Sequence, residues 1–422
     1  MKPLQIAILG CGSRGRTYSR IASSLEGRYQ ITAAADLVEV RTAAVAELAP
    51  AGSVRTFRSA EDLFAAGKLA DVLVIATQDA DHFGHAVTAL KSGYDLLLEK
   101  PAAESLARCE ELDALARSLG RRIALGFVLR YTPFYRAVKA VVDSGRLGKI
   151  ITLRASEGVE PYHQAHSYVR GHWSKTGSST PMIVAKCSHD TDLLCWLSGS
   201  APRSVSSVGR LEWFRAQNAP AGAPLRCTDG CPAAADCAYD AHRYLTDKRG
   251  WLRMVMDHSE TADDSQILDF LKSSPWGRCV YRCDNDAVDH QVLSAEMENG
   301  VTATLTMTAF DLGRTIEIHG TLGSLRGGSP FQTAGAPELW LRDHRTDTLE
   351  TIPVVAPEAA GYAGHGGGDF GLVDALDAMF QGPDAMSPGL DGLAGHRLAF
   401  LAEASRIQGG IPLPAPVPMG NG

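Results

Sequence analysis

Two short segments contain side chains that could move a proton or hold a developing negative charge. Glu99-Lys100-Pro101 directly follows the apolar run Asp95–Leu98. Ligands of open α/β sheets bind at the carboxyl ends of strands, so Lys100 could hold a substrate hydroxyl or an alkoxide, although a solvated surface lysine is the simpler alternative. Lys186, His189 and Asp192 recur every three residues, which predicts one face of a helix. Such a face suits proton transfer because the pKa of histidine lies near neutral pH, and ordinary ion pairing is the alternative.

A glycine-rich turn stands near the start of the chain. Gly10-Cys11-Gly12-Ser13-Arg14-Gly15 follows the apolar run Gln5–Leu9 and precedes a helical pattern. Glycines there let backbone N–H groups approach a pyrophosphate at a helix N-terminus. Asp36 ends the next apolar run, where a carboxylate can hold the ribose hydroxyls of NAD. Asp36 therefore favours NAD, while Arg14 and Arg41 leave NADP open.

The same glycine spacing recurs at Gly366–Gly371 in a different context. It follows a loop in the strand-rich half of the chain, so we interpret it as a loop and not as a dinucleotide site.

Several polar and aromatic residues have the side chains needed to bind sugar hydroxyls. We take as substrate-binding candidates Arg130, Tyr131, His166, Arg170, Trp173, His365 and Asp369. For each of them, the alternative is a polar side chain that lies at the surface and binds no ligand.

Five of the nine cysteines lie between Cys227 and Cys283. Clustered thiols in a cytosolic protein can hold a structural zinc ion. The candidate ligands are Cys227, Cys231, Cys237 and Cys283, with His290 as another choice for the fourth. Reduced cysteines that pack in a loop are the alternative, and the nearby Asp284–His290 run could instead reach the active site.

Composition excludes several other classes of protein. The 422 residues have a net charge of −7, so the chain lacks the overall positive charge of a nucleic-acid-binding protein. No apolar run reaches the roughly 18–20 residues that a membrane span needs. The start of the chain resembles a first core strand rather than a signal peptide, and the odd number of cysteines argues against a disulfide scaffold. We therefore expect a cytoplasmic protein.

The elements that would position these residues fall into two groups. Short apolar runs alternate with helical patterns up to about residue 124, which predicts a doubly wound parallel Rossmann sheet. The runs are Gln5–Leu9, Tyr29–Ala35, Asp71–Thr77, Asp95–Leu98 and Arg122–Phe127. Val292–Met297 and Thr302–Ala309 flank an Asn-Gly turn, which predicts a hairpin. The predicted fold is thus α/β, with a Rossmann domain over 1–124 and an α+β domain over 125–422 that has a large, mostly antiparallel open sheet.

A weakly patterned, cysteine-containing insertion interrupts the second predicted domain at about 214–290. Near the end of the chain, Phe370–Phe380 and Leu393–Ile407 have helical patterns.

The motifs together resemble one known family. They occur in the order seen in the Gfo/Idh/MocA family of glucose–fructose oxidoreductase and inositol dehydrogenase: Gly10–Gly15, Asp36, Ala76–His82, Glu99–Pro101, His189–Asp192 and Gly320–Ser324. The resemblance covers nearly the whole chain. It implies NAD(P)-linked redox chemistry on sugars, cyclitols or their derivatives, and a homo-oligomer (dimer or tetramer) built on the open sheet.

The resemblance also assigns residues. Lys100 takes the place of the family lysine and His189 that of the catalytic histidine. The cofactor-binding residues are Gly10, Gly12, Ser13, Arg14, Gly15, Asp36, Thr77, His82, Glu99 and Lys100. Members commonly have an aspartate four residues before the histidine. Here that position is Ala185, so Lys186 or Asp192 is expected to substitute for it.

Three functions are compatible with these residues. The first is a dehydrogenase that oxidises a secondary hydroxyl of a sugar, cyclitol or glycoside, with Asp192 orienting His189 or the substrate. The second is an NAD-dependent glycoside-cleaving enzyme that works by oxidation, elimination, hydration and re-reduction. The third is a nucleotide-binding sensor without catalysis, against which the retained Lys100 and His189 argue.

Overall fold

The computed structural model describes residues 2–329, 337–355, 364–383 and 385–415. In the first part of the chain, strands and helices alternate. The strands are β1 Leu4–Leu9, β2 Tyr29–Ala35, β3 Arg55–Phe57, β4 Val72–Ile75, β5 Asp95–Leu98 and β6 Arg122–Leu125. The helices are α1 Ser13–Ser24, α2 Glu39–Ala46, α3 Ala60–Ala65, α4 Asp79–Lys91 and α5 Leu106–Ser118.

The remaining elements are mainly strands of a second sheet. The strands are β7 Ile150–Val159, β8 Pro202–Arg210, β9 His290–Met297, β10 Thr302–Thr308, β11 Leu312–Gly320, β12 Gly323–Gly328, β13 Glu338–Asp343, β14 Thr348–Thr351, β15 Gly389–Leu390 and β16 Leu413–Pro414. The helices are α6 Pro133–Asp143, α7 Pro161–His163, α8 Met182–Ala185, α9 Ser188–Ser198, α10 Asp264–Ser273, α11 Gly368–Gln381 and α12 Leu393–Ile407.

The first sheet has the doubly wound order β3-β2-β1-β4-β5-β6-β15, and all its strands are parallel. All four residues of β4 are buried, as expected for a strand covered on both faces. The Rossmann sheet predicted from the sequence is confirmed. Neither β3 nor β15 was predicted from the sequence. β15 extends the first sheet with residues far beyond position 124, the predicted end of the first domain.

The second sheet has the order β14-β13-β12-β11-β7-β10-β9-β8-β16. Among the described strands of this sheet, only β7 and β10 pair in parallel, so the predicted mostly antiparallel sheet is confirmed. The β9–β10 hairpin turns at Gly300, whose φ is +85°. Along β9, buried and exposed residues alternate, because one face packs on the core and the other faces outward.

Helix α11 packs on the first sheet although it comes from the end of the chain. Leu372, Val373 and Leu376 are buried in one cluster with Ile6 and Val74. This packing brings Asp369, in the first turn of α11, and His365, just before the helix, to the glycine-rich turn.

The insertion has little regular structure. Between Phe214 and Pro275 it consists of short 3-10 turns and the single helix α10, which begins with a capping box at Asp263. Among the residues described, no helix has the length and apolar character needed to span a membrane.

Candidate active site

The glycine-rich turn joins β1 to α1 at the carboxyl edge of the parallel sheet. Gly10 has a φ of +89°, and a Cβ there would lie 2.5 Å from the Ala76 carbonyl oxygen. A Cβ on Gly15 would lie 2.0 Å from the oxygen of Gly10. These two positions therefore require glycine for close packing. Gly12 differs, because a Cβ there would meet no heavy atom within 4 Å.

Asp36 lies beside this turn, at the end of β2. Its Oδ2 accepts a hydrogen bond from the Cys11 N–H at 2.7 Å, and its Oδ1 accepts one from the Val38 N–H at 2.9 Å. Arg41 Nη1 stands 4.0 Å from Asp36, while Arg41 Nη2 pairs at 3.0 Å with Asp257 of the insertion. The open position at Gly12 and the oriented carboxylate fit a bound dinucleotide.

Arg14 belongs to a buried charge network. Its Nε lies 2.6 Å from Glu99 Oε1, its Nη2 lies 2.8 Å from Asp369 Oδ1, and Tyr18 donates to Glu99 Oε1 at 2.6 Å. Burial by itself would raise the pKa of Glu99, but Arg14 and Tyr18 lower it below its ordinary value. His365 Nδ1 pairs with Asp369 at 3.1 Å. The sequence predicts that ligands bind to Arg14, Glu99 and Asp369. These residues also connect the first and last parts of the chain through their ion pairs.

Lys100 follows β5 and points across the cleft. Its Nζ donates a hydrogen bond to the Ala185 carbonyl oxygen at 2.6 Å. Burial lowers the pKa of Lys100, and the charges of Lys186 and Arg14 act in the same direction. Ala185, which replaces the aspartate expected from the family, therefore contacts Lys100 through its backbone.

His189 is 5% exposed in the first turn of α9. Its Nδ1 is buried and has no hydrogen-bond partner among the residues described. Its ring lies 5.8 Å from that of Phe127 and 6.1 Å from that of His365. Burial lowers the pKa of His189 well below its ordinary value, and the charges of Lys100 and His365 lower it further. The imidazole is thus neutral at pH 7 and can accept a proton.

Lys186 lies between two helices rather than on a common helical face, because α8 ends at Ala185 and α9 begins at Ser188. Lys186 therefore does not share a helical face with His189 and Asp192, contrary to the prediction, although its positive charge still acts on His189. Lys186 Nζ is 3.3 Å from Glu157 Oε1. Glu157 also pairs with Arg314, whose Nε lies 2.8 Å from Glu157 Oε2 and 2.9 Å from Asp190 Oδ1. Lys186, Glu157, Arg314 and Asp190 thus form one charge network.

The sequence analysis missed three residues here, namely Glu157, Arg314 and His163. Glu157 lies within β7, and its partners come from distant elements, so no local pattern indicated a role for it. His163 lies close enough to Lys186 and Arg314 for both charges to lower its pKa, after the larger effect of burial. Its ring is 4.8 Å from that of Trp251 in the insertion.

The structure corrects the prediction for Asp192. Asp192 does not orient His189, since its Oδ2 and Oδ1 accept from Arg130 Nε at 2.6 Å and Nη2 at 2.5 Å. Arg130 Nη1 also lies 3.0 Å from Asp391 Oδ2. The pair is interior, since the side chains of Arg130 and Asp192 are 14% and 1% exposed, so Arg130 is not free to bind a sugar.

Three more predicted substrate-binding residues, Tyr131, His166 and Arg170, contact other groups of the chain. The Tyr131 hydroxyl points to Met379 Sδ at 3.5 Å, in the cluster around α11. His166 Nδ1 is 2.5 Å from the Tyr244 hydroxyl, and Arg170 donates to the backbone oxygens of Arg278 and Tyr239. These three predicted substrate contacts are instead engaged by partners within the fold.

Three further predicted residues, Trp173, His82 and Ser13, contact or belong to the elements around the cleft. Trp173 Nε1 donates to Asp79 Oδ2 at 2.8 Å, at the start of α4. His82 contacts the oxygens of Pro101 at 2.7 Å and Thr77 at 3.2 Å, so it supports the turn that positions Lys100. Ser13 begins α1 beside the open Gly12 position.

The described residues do not present a formed metal centre. Among them, no group of three or more His, Cys, Asp or Glu side chains is arranged to hold a metal ion. All nine cysteines are free thiols. The four cysteines predicted from the sequence as zinc ligands are therefore not arranged as a formed metal site.

A parallel Rossmann sheet, a second antiparallel sheet and a lysine–histidine cleft at the carboxyl edge define a nucleotide-dependent oxidoreductase. Two family models match the chain: an oxidoreductase family with an NAD-binding Rossmann fold over residues 4–127, and the GFO/IDH/MocA C-terminal domain over residues 135–257. Together they cover more than half of the chain. The chain belongs to the Gfo/Idh/MocA oxidoreductase family, as the sequence motifs predicted.

Individual relatives agree with this assignment. The protein YteT of Bacillus subtilis (strain 168) is 25% identical over 399 residues, which are 90% of this chain and 89% of that protein. Inositol 2-dehydrogenase of Corynebacterium glutamicum (strain R) is 31% identical over 209 residues, 48% of this chain and 57% of that protein.

Solved structures show the same fold. The scyllo-inositol dehydrogenase from Lactobacillus casei, with bound NAD(H) and scyllo-inositol, has a TM-score of 0.64 at 18% identity and covers 98% of this chain and 99% of that chain. The WlbA dehydrogenase from Bordetella pertussis, in complex with NADH and UDP-GlcNAcA, has a TM-score of 0.66 at 17% identity, with 99% of both chains covered.

Proposed function

We propose that this protein oxidises a secondary hydroxyl of a sugar, cyclitol or glycoside with NAD. The observation that supports this most directly is the neutral, buried His189 beside Lys100 in one cleft at the carboxyl edge of the Rossmann sheet. NAD, when bound, supplies the hydride acceptor. Gly10, Gly12, Ser13 and Gly15 would hold its pyrophosphate, and Asp36 its ribose.

In this proposal the chain's own residues handle the proton. Since Nδ1 of His189 is buried, we assign Nε2 as the atom that accepts the substrate hydroxyl proton. Lys100 Nζ stabilises the negative charge that develops on the same oxygen, while the Ala185 carbonyl holds the ammonium in place. Lys186 and Glu157 replace the missing aspartate as neighbouring proton-exchanging groups.

A panel assay tests the reaction class. The purified protein is incubated with NAD⁺ and free sugars, cyclitols and glycosides, while nicotinamide absorbance and sugar products are followed in the same samples. NADH formation with a keto product two hydrogens lighter is the expected result. Cleavage of a glycoside at constant absorbance would replace the proposal with internal redox cleavage. Cofactor binding without turnover would make the protein a sensor.

The cofactor proposal predicts an effect of Gly12→Ala on binding alone. A Cβ at Gly12 would meet no heavy atom within 4 Å among the described residues beyond its chain neighbours, so the melting temperature should not change. The methyl group would instead occupy the approach of the pyrophosphate, and we expect NAD affinity to fall about tenfold or more, which is ~1.4 kcal/mol. Titration calorimetry measures this change. Gly84→Ala, in the middle of α4 and equally free of neighbours, is the matched control. Equal NAD affinity of Gly12→Ala and wild type would contradict the proposed site.

The pH dependence of oxidation should reflect the depressed pKa of His189. The neutral imidazole is the proton acceptor, and burial together with Lys100 keeps it neutral below the ordinary histidine value of 6.5. The acid limb of kcat/KM should therefore lie below pH 6.5. Lys186→Met removes one nearby positive charge and should move that limb to higher pH. Steady-state rates between pH 5 and 9 measure both, and an acid limb at or above 6.5 in the wild type would argue against His189 as the base.

The proposal includes NAD rather than NADP, a homo-oligomer and a cytoplasmic location. Asp36 would repel a 2′-phosphate, and Arg41 is engaged by Asp257, so comparison of NAD⁺ and NADP⁺ in the same assay tests the preference. Exposed apolar side chains on the second sheet, such as Val208, Val292 and Leu349, support self-association, which light scattering tests. The free thiols support a reducing compartment.

A further inference from the structure

Five cysteines from two separate stretches of the insertion lie close together. Cys227, Cys231 and Cys237 belong to the first stretch, and Cys279 and Cys283 belong to the second. A backbone bridge between Arg226 and Arg278 holds the two stretches side by side. Cys227, Cys231, Cys237 and Cys279 line one cavity of about 10 Å³, and Cys283 Sγ donates to the Cys279 oxygen at 3.4 Å.

A buried arginine stands against this cluster without an anionic partner. Arg170 is 3% exposed. Its Nη2 lies 3.6 Å from Cys227 Sγ, and its other hydrogen bonds go to the backbone oxygens of Arg278 and Tyr239. Among the residues described, its Nη1 has no hydrogen-bond partner, and none of its hydrogen bonds goes to a carboxylate. Burying an unpaired charge is costly, so this arrangement favours a negative charge near Cys227.

We propose that the cluster binds one structural zinc ion through Cys227, Cys237 and Cys279, with Cys231 or Cys283 as the fourth ligand. Four thiolates around Zn²⁺ have a net charge of −2, which supplies the counter-charge that Arg170 lacks. The Arg170 N–H near Cys227 Sγ is the kind of outer hydrogen bond that supports a metal ligand. The cavity is about as large as one water-sized sphere, which suits a single ion rather than an iron–sulfur cluster.

The structure therefore adds Cys279 to the ligands predicted from the sequence. The described sulfur atoms are not arranged around a single point, so binding requires the cysteine side chains to rotate into the cavity. With four protein ligands the ion has no open position and is structural. It would cross-link an insertion that otherwise consists of short 3-10 turns and one helix.

Metal analysis of the full-length protein tests the proposal without reference to its activity. Protein expressed with added zinc should contain one zinc and no stoichiometric iron per chain. X-ray absorption should show four sulfur neighbours at about 2.3 Å. Zinc below a tenth of an equivalent, or iron in its place, would overturn the proposal.

Variants then identify the ligands. Cys227→Ala and Cys279→Ala should lose zinc, whereas Cys109→Ala, buried among the helices of the first sheet, should retain it. One of Cys231→Ala and Cys283→Ala should also lose zinc, and retention by both would refute a four-thiolate site. If the variants do not fold, removal of zinc from wild type by a chelator should lower the melting temperature, and zinc should restore it. An unchanged melting temperature after zinc removal would contradict a structural role.

Discussion

Replacing His189 with asparagine is expected to lower kcat for sugar oxidation about 10²- to 10⁴-fold. Asparagine keeps a polar group in the buried site but cannot take a proton from the substrate hydroxyl. NAD affinity should stay within a few-fold of wild type, because the residues proposed to hold the cofactor are unchanged. Steady-state kinetics with the active sugar and fluorescence titration with NADH measure the two effects separately.

The control for this variant is His344→Asn. His344 is exposed at the second sheet and contacts Ser324, outside the cleft. Its substitution should leave kcat unchanged. An undiminished kcat in His189→Asn would remove His189 from the mechanism and would favour another group of the cleft, such as His163, as the base.

Replacing Arg130 with methionine is expected to lower the free energy of unfolding by about 3–5 kcal/mol. Arg130 makes two hydrogen bonds to Asp192, which is 1% exposed, and the variant would leave that carboxylate buried without its partner. Urea unfolding measures the loss. The exposed pair of Arg58 and Glu39 provides a matched control, since Arg58→Met should change stability by less than about 1 kcal/mol.

The loss in Arg130→Met should depend on pH. Burial already raises the pKa of Asp192 to about 6, against the lowering effect of Arg130. A carboxyl whose pKa is higher in the folded than in the unfolded protein takes up a proton on folding at pH values between the two, so stability falls as the pH rises through that range. Without Arg130 the pKa of Asp192 in the folded protein rises further, so the variant should be less destabilised at pH 5 than at pH 8.

A second variant separates this structural role from catalysis. The double variant Arg130→Met/Asp192→Leu removes both charges and should recover much of the lost stability, because an apolar pair can replace a buried ion pair. If Asp192 instead oriented His189, the double variant would regain stability but lose kcat by orders of magnitude. That result would contradict the assignment of Asp192 as an interior partner of Arg130.

Much of the fold follows from the sequence alone. The strands of the first sheet are short runs of apolar residues bounded by turns, and their pattern depends on neighbours in the chain. The glycine-rich turn and Asp36 could be predicted for the same reason, since their roles follow from their position after a strand. Lys100 and His189 were recognised because each lies within a short, ordered motif.

Other parts of the site depend on contacts between distant residues. Asp192 pairs with Arg130, 62 positions away, and Arg14 pairs with Asp369, 355 positions away. Spacing within one helix could place Asp192 near His189, but it could not show which distant cation its carboxylate would meet. Glu157 and Arg314 lie on neighbouring strands β7 and β11, whose pairing no local pattern reveals.

The sequence by itself therefore determined the class of fold, the nucleotide turn and the two residues of the proposed chemistry, because short-range patterns specify them. Only the tertiary structure decided which charges pair, that Ala185 meets Lys100 through its backbone, and that Arg170 is buried against the thiols. These outcomes depend on which side chains are buried together, and the cost of burying an unpaired charge then selects their partners.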